Sequence, residues 1–160
     1  MKTSLSLPLD VDPANAVRAI GLWQPFASLV ADGWKSIETR LRRTHIRGRV
    51  VICATKGIAP PALYAETLRR VAARGIDPAP YAADRVLRGH ALAIAELVDS
   101  RPMTDEDEPL AFVPRVDAVM GGVRWAWCLA PKPERVRPVA VKCAQGWFSL
   151  ASSILIPEAA

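Results

Sequence analysis

The chain is expected to be an α+β fold, a small mixed β-barrel with helices packed outside, and three observations predict it. Apolar runs of strand length recur from Val17 to Val141, segments opened by proline and closed by glycine lie among them, and one run, His90 to Val98, is apolar at nearly every position. Such a run suits a strand covered on both faces, and strands mixed with helices in this order must share one core. At 160 residues, with 51% hydrophobic and 23% charged side chains, the chain fits one domain large enough to bury that core without disulfides.

Residues 1–16 carry Pro8, Asp10, Asp12, Pro13 and Asn15 with no sustained period, so a flexible N-terminal arm is expected there, followed by a single domain over 17–155. Val17 to Leu22 is a compact apolar run suited to a first strand, although periodicity alone does not separate so short a run from a helix. Gln24-Pro25 opens a helix in which Phe26, Leu29 and Val30 repeat at helical spacing, and Gly33 stands where a helix ends. Ser36 to Arg40 resumes as extended chain, and Arg49 to Ala54 is a second apolar strand between Gly48 and Gly57.

Pro60 to Arg74 reads as a helix with Leu63, Leu68 and Val71 inward and Gly75 as its stop, followed by a shorter proline-started segment over 80–88. Beyond the His90 strand, residues 100–124 are acidic at Asp105 to Glu108, broken by Pro102, Pro109 and Pro114, and closed by Gly121-Gly122. A long, partly irregular excursion is expected there. Trp125 to Leu129 and Val136 to Val141 are the last strand candidates, the first placing Trp125, Trp127 and Leu129 on one face.

Composition narrows the function classes. The three cysteines, Cys53, Cys128 and Cys143, form no CxxC pair, so neither a disulfide framework nor a zinc site is indicated, and no metal or cofactor is expected. With no signal-peptide pattern and no run of about 18 apolar residues, a soluble cytoplasmic protein without a membrane partner is expected. Net charge is +5 and the pI about 9.5. Between Lys35 and Arg49 the bases are Lys35, Arg40, Arg42, Arg43, Arg47 and Arg49 against the single acid Glu38. A phosphate-facing rim and a solvated surface loop both fit that run.

The stretch Arg18 to Val30, with Gln24-Pro25-Phe26-Ala27, followed by Gly33-Trp34-Lys35-Ser36-Ile37-Glu38-Thr39-Arg40, closely resembles the opening of an ASCH domain, where an xQPxA helix leads into a GxKxxExR motif. His90 to Asp99 resembles that family's central strand, and Trp125-Ala126-Trp127 with Lys142 and Gln145-Gly146-Trp147 resembles its closing strands and final turn. The resemblance covers about 17–150. Cys143 departs from the glycine that many members carry after the lysine. The resemblance implies a PUA-like β-barrel with a cleft between barrel and first helix, lined by the motif, that takes RNA or a nucleotide. Some members are similar to N4-acetylcytidine amidohydrolases that use a lysine, a threonine and a glutamate, and others cleave RNA; in the amidohydrolases a threonine stands where Glu38 is.

On an extended strand Glu38 and Arg40 share one face about 7 Å apart, and a bend at Trp34 would swing Lys35 to join them. In such a cluster Glu38 accepts from a base N–H, Arg40 forks onto Glu38 or a phosphate, and Lys35 supplies a point charge; a buried ion pair that fixes the junction is the structural alternative. Trp23 and Trp34 are candidates for stacking on a base. The resemblance adds Gln24, Lys142 and Gln145 to the cleft, beside Arg42 and Arg43 from the basic run. If the protein is a hydrolase, Lys35 and Glu38 are the candidate catalytic groups, with the Lys35 pKa lowered by desolvation and by Arg40 and Arg42. Of the histidines, His45 lies among arginines and His90 opens a strand.

Overall fold

The structure, a computed structural model, describes residues 13–159. The expected arm therefore falls almost wholly outside the described residues, and the chain is in a 3-10 turn at Pro13–Asn15 before the first strand. Seven strands and three α-helices follow among the described residues. They are β1 (Ala16–Gln24), α1 (Phe26–Ala31), β2 (Ile37–Arg40), β3 (Gly48–Ile58), α2 (Pro61–Ala73), β4 (His90–Pro102), α3 (Glu108–Ala111), β5 (Trp125–Leu129), β6 (Glu134–Ala140) and β7 (Gly146–Ala151).

The strands form one mixed sheet in the order β2-β5-β4-β3-β1-β7, with β6 also pairing β4. β1 runs parallel to β3, as Ala19↔Val51 and Leu22↔Ala54 show, and antiparallel to β7. Residues alternate between the faces. Ile20, Leu22, Val50, Ile52, Ala54, Leu97, Trp127 and Leu129 fill one cluster with Ala27, Val30 and Ala31 of α1. Ala19, Val51 and Cys53 pack on the other face with Leu150 and the half-buried Phe148 and Leu155. That two-sided cover explains why β4 reads as apolar almost throughout.

The expected barrel is not closed: β2 and β7 end the sheet and no ladder joins them among the described residues. β2 has four residues, paired with β5 along one edge only. The sheet nevertheless curls until side chains cross the remaining gap. Trp127 of β5 stacks on Trp147 of β7, centroids 5.4 Å apart and planes 14° from parallel, although three strands separate them in the sheet. Arg40 Nη2 of β2 donates to the Gly21 carbonyl of β1 at 3.2 Å. The seam of this curled sheet is where the candidate cleft lies.

Two local expectations change. In α2 the fully buried positions are Tyr64, Thr67 and Val71, with Leu63 and Leu68 half-buried, because the helix leans on the Tyr81 and Phe112 cluster. The segment over 80–88 holds only a 3-10 turn at Ala79–Tyr81; it has one buried anchor, Tyr81, whose hydroxyl donates to Asp32, and no apolar stripe to bury along a helix. The final strand β7 had no separate sequence signal beyond the Gln145-Gly146-Trp147 motif. Among the described residues no helix is long and apolar enough to cross a membrane.

The excursion after β4 is ordered by charge as well as by the buried Met103, Ala111, Phe112 and Val113. Thr104 and Asp107 form a capping box that starts the turn before α3, and Arg101 grips Asp107 in two parallel bonds of 2.6 and 2.8 Å. Asp105 pairs with Arg115, and Glu108 with Arg70. Asp105, Asp107 and Glu108 of the acidic run are thus engaged within the fold. The Arg101 guanidinium holds the Asp107 carboxyl at about 2, helped by the Thr104 backbone. A carboxyl depressed in the folded state stabilises fully above its ordinary value of about 4 and loses that contribution as pH falls toward 2. Asp107→Asn is expected to cost about 1.5–3 kcal/mol at neutral pH, and the gap from wild type in urea unfolding should shrink across that acid window.

Candidate functional site

Gly33 is what assembles the motif. With φ of +80° it takes the left-handed conformation that glycine adopts without penalty, and the next two amides, of Trp34 and Lys35, both donate back to the Leu29 carbonyl at 3.0 Å. The chain folds under α1, and Lys35 enters the interior with its ammonium 5.1 Å from the Phe26 ring centre. There Lys35, 2% exposed, donates to the carbonyls of Ile37 and Ala111, both at 2.6 Å, and faces Glu38 Oε2 at 3.6 Å. Its three N–H groups are directed at protein oxygens, so it anchors β2 to α3 and holds Glu38 rather than reaching outward. Burial pulls its pKa down to about 8, with Arg124 and Arg40 adding to the effect and Glu38 opposing it.

Glu38 stands between cations. Oε1 lies 3.5 Å from Arg40 Nε and Oε2 3.6 Å from Lys35 Nζ. Both are ion-pair contacts too long or too poorly aligned to be hydrogen bonds. Arg40 lays its guanidinium over Trp127, 5.6 Å from the ring centre.

Arg124, just before β5, completes the set. A short hairpin bridged at Val116↔Val123 carries it, and its Nη2 is fixed by Asp117 at 3.0 Å. Four buried side-chain polar atoms have no hydrogen-bond partner among the described residues: Glu38 Oε2, Arg40 Nε, Arg124 Nε and Thr67 Oγ1. The first three belong to residues lining one cavity of about 140 Å³. Each unpaired buried group costs about 1–3 kcal/mol, so three among the residues around one cavity single it out as the candidate site.

The other walls are Trp23, Phe26, Leu63 and Val113, with Gln145 from the loop before β7 at the rim. Gly21 lies in the floor, where a Cβ would come 2.1 Å from the Ala144 carbonyl oxygen. Gly21→Ala is therefore expected to push the 144–145 segment off the seam and to lower stability by about 1–3 kcal/mol, read as a lower urea midpoint.

The structure thus brings Trp23, Lys35, Glu38, Arg40 and Gln145 to one cavity and places the other expected residues elsewhere. Gln24 is fully buried, and its amide is used inside the fold by Ser28 and the Leu87 carbonyl. Arg42, Arg43 and Lys142 are exposed and outside the cavity wall. Trp34, 44% exposed, also lies off that wall; its amide donates to Leu29 and its carbonyl accepts from Arg74. Neither histidine lines the cavity; His90 Nδ1 is 2.8 Å from the Arg88 carbonyl. Of the remaining basic run, Arg47 pairs with Asp99 and Arg49 with Glu134. Among the described residues no three His, Cys, Asp or Glu side chains gather as a metal site. The wall residues Leu22, Phe26, Leu63, Val113 and Arg124 lay outside the sequence-based set, and nothing local to Leu63, Val113 or Arg124 marks them.

Comparison with known proteins gives the family and supports the fold. The family model of the ASCH domain matches residues 20–120, so the chain belongs to the ASCH domain family. The matched span runs from within β1 into the hairpin and includes the cavity residues from Gly21 to Val113. An ASCH crystal structure from Zymomonas mobilis superposes with a TM-score of 0.51 at 16% identity, covering 85% of this chain and 88% of that one. A serine-to-alanine variant of the Zymomonas mobilis protein gives 0.51 at 16% identity over 87% and 91%. At this identity the likeness concerns the fold alone. No curated protein sequence matches the chain.

Proposed function

We propose that this ASCH-domain protein binds RNA or a nucleotide, with a base inserted at the seam between β1 and β2. The observation that carries this reading is one small cavity lined by Glu38, Arg40 and Arg124, each with a buried side-chain atom that has no hydrogen-bond partner among the described residues. A volume of about 140 Å³ is the size of a cavity that holds a single benzene-like ring, which leaves sugar and phosphate outside. Trp23 offers an indole on the wall for stacking. Arg42 and Arg43 leave β2 exposed, where they can meet phosphate, while the Arg42 carbonyl is held by Trp127 Nε1 at 2.9 Å.

Single-stranded RNA should bind at low salt and weaken steeply as salt rises, and Arg42→Ala with Arg43→Ala should flatten that slope by about 1.4, two phosphate contacts at about 0.7 each. Fluorescence anisotropy of a labelled oligonucleotide measures both. Absence of binding to RNA and to nucleotides at low salt would sink the reading.

A second reading, a metal-independent hydrolase acting on RNA or on a modified nucleoside such as N4-acetylcytidine, draws on one observation: burial brings Lys35 to about 8, within reach of base chemistry. Turnover would then rise with pH up to about 8 as the ammonium loses its proton. Incubation with each substrate in the presence of a chelator, across that pH range, is the test; no product from either at any pH excludes it.

A further inference from the structure

Two exposed cations, Lys56 and Arg88, meet at the end of β3 beside the Trp23 wall of the cavity, and the inference drawn from them rests on the RNA-binding reading above. β3 and β4 pair as far as Ala54↔His90, and the Gly89 amide donates to the Ala54 carbonyl at 2.8 Å, which lays residues 88–89 against the end of β3. Arg88 Nη1 donates to the Lys56 carbonyl at 3.3 Å. The Lys56 stem runs along Gly89, where a Cβ would stand 3.5 Å from its Cγ and 3.8 Å from its Cε. On the other side of Lys56 in the chain, exposed Gly57 abuts Trp23, since a Cβ there would come 3.5 Å from the indole Nε1. Cavity wall, bare glycine and two cations thus follow one another as Trp23, Gly57, Lys56 and Arg88.

The charge of this pair is left open. Among the described residues neither Lys56 nor Arg88 forms an ion pair, whereas Arg49, Arg70, Arg101 and Arg135 all do. Asp84, the acid in the segment leading to Arg88, pairs with neither. The loop before β7 adds a third cation: Val141 donates to the Gly89 carbonyl at 2.9 Å, Cys143 Sγ donates to the Ala54 carbonyl at 3.2 Å, and exposed Lys142 lies between them in the chain. The same loop then reaches the cavity rim at Gln145. Like charges gathered without a counterion repel one another and attract a polyanion. An acidic peptide would satisfy the charge alone; a nucleic-acid strand also uses the ring-sized cavity of about 140 Å³ next to it.

We propose that Lys56 and Arg88 form a phosphate subsite for the backbone of a single RNA strand whose base occupies the cavity, the strand leaving past Trp23 and over Gly57. The bond to the Lys56 carbonyl occupies one donor of the Arg88 guanidinium, and the others are free to fork onto phosphate oxygens. Lys56 supplies a point charge. Such contacts position a strand without reading its sequence.

The test is the salt dependence of binding to a labelled oligouridylate, a strand with little structure of its own, followed by anisotropy. Wild type is compared with Lys56→Ala plus Arg88→Ala and with a charge-matched control, Lys132→Ala plus Arg137→Ala, whose exposed side chains are off the cavity wall. The first pair should lower the salt slope by about 1.4, two contacts at about 0.7 each, and weaken binding at least fivefold at low salt, with the urea midpoint unchanged. The control pair should leave the slope at the wild-type value. If loss of the Arg88 bond lowers the midpoint, Lys56→Ala alone decides, with an expected drop of about 0.7. Equal flattening by the two pairs, or displacement of the RNA by polyglutamate as readily as by unlabelled oligouridylate of the same charge, overturns the subsite in favour of general charge attraction. An unchanged slope in Lys56→Ala plus Arg88→Ala overturns it while the RNA-binding reading stands. No binding of RNA by wild type at low salt overturns both.

Discussion

Lys35→Met is expected to destabilise the protein by about 3–5 kcal/mol, the range found when one partner of a buried ion pair is removed. The substitution keeps most of the side-chain volume but strands Glu38 in the interior with only the offset Arg40 contact and leaves the Ile37 and Ala111 carbonyls without the donor they share. Adding Glu38→Gln should recover a substantial part of the loss, since it removes the stranded charge. A purely exposed lysine would give an effect within about 0.5 kcal/mol, so urea unfolding of the three proteins separates the cases. The pH dependence has a definite sign. In the folded state Lys35 titrates near 8 rather than 10.5, so between those values the unfolded chain holds a proton that the folded chain has released. Stability of wild type relative to Lys35→Met should therefore rise with pH across that window and level off above it.

Trp127→Ala is expected to have an effect of similar size, about 3–5 kcal/mol, and to abolish ligand binding as well. Trp127 is 7% exposed and closes the seam in three ways: it stacks on Trp147, it donates to the Arg42 carbonyl, and it provides the face under the Arg40 guanidinium. Without the indole, β2 keeps its ladder to β5 and the Arg40 bond to Gly21, but the stacked contact between β5 and β7 is lost. Trp127→Phe retains a ring and loses the N–H, so its cost should stay near 1–3 kcal/mol. Thermal or urea unfolding measures the stability, and oligonucleotide anisotropy on the folded fraction measures the binding.

Much of the cleft was legible because its key residues lie close together in the chain. Gly33, Lys35, Glu38 and Arg40 span one turn and one short strand, so a single left-handed glycine and the alternation of a strand suffice to bring them together. Strands with period-2 or wholly apolar patterns, such as β3 and β4, were legible for the same reason. What depended on distant chain was not. Arg124 reaches the cavity through a hairpin held by Asp117, and Leu63 and Val113 face it only because α2 and the segment after α3 pack over β2. Gln24 looked like a cleft residue because a polar side chain beside a motif invites that reading, yet its amide satisfies Ser28 and Leu87 inside the fold. The acidic run at 105–108 could not be paired from sequence, since its partners Arg70, Arg101 and Arg115 come from three separate elements. Failure of the barrel to close rests on the length of β2, which the run Ser36 to Arg40 does not reveal.

The central claim is that a base enters the seam beside Trp23, and the five indole N–H signals of the 15N-labelled protein test it most directly. Trp23 lines the cavity, whereas Trp34 and Trp125 do not. On titration with oligouridylate at low salt, the Trp23 indole signal, assigned with Trp23→Phe, should move in proportion to occupancy while those of Trp34 and Trp125 stay within the noise. Saturable binding that shifts Trp34 and leaves Trp23 in place would contradict the seam as the site.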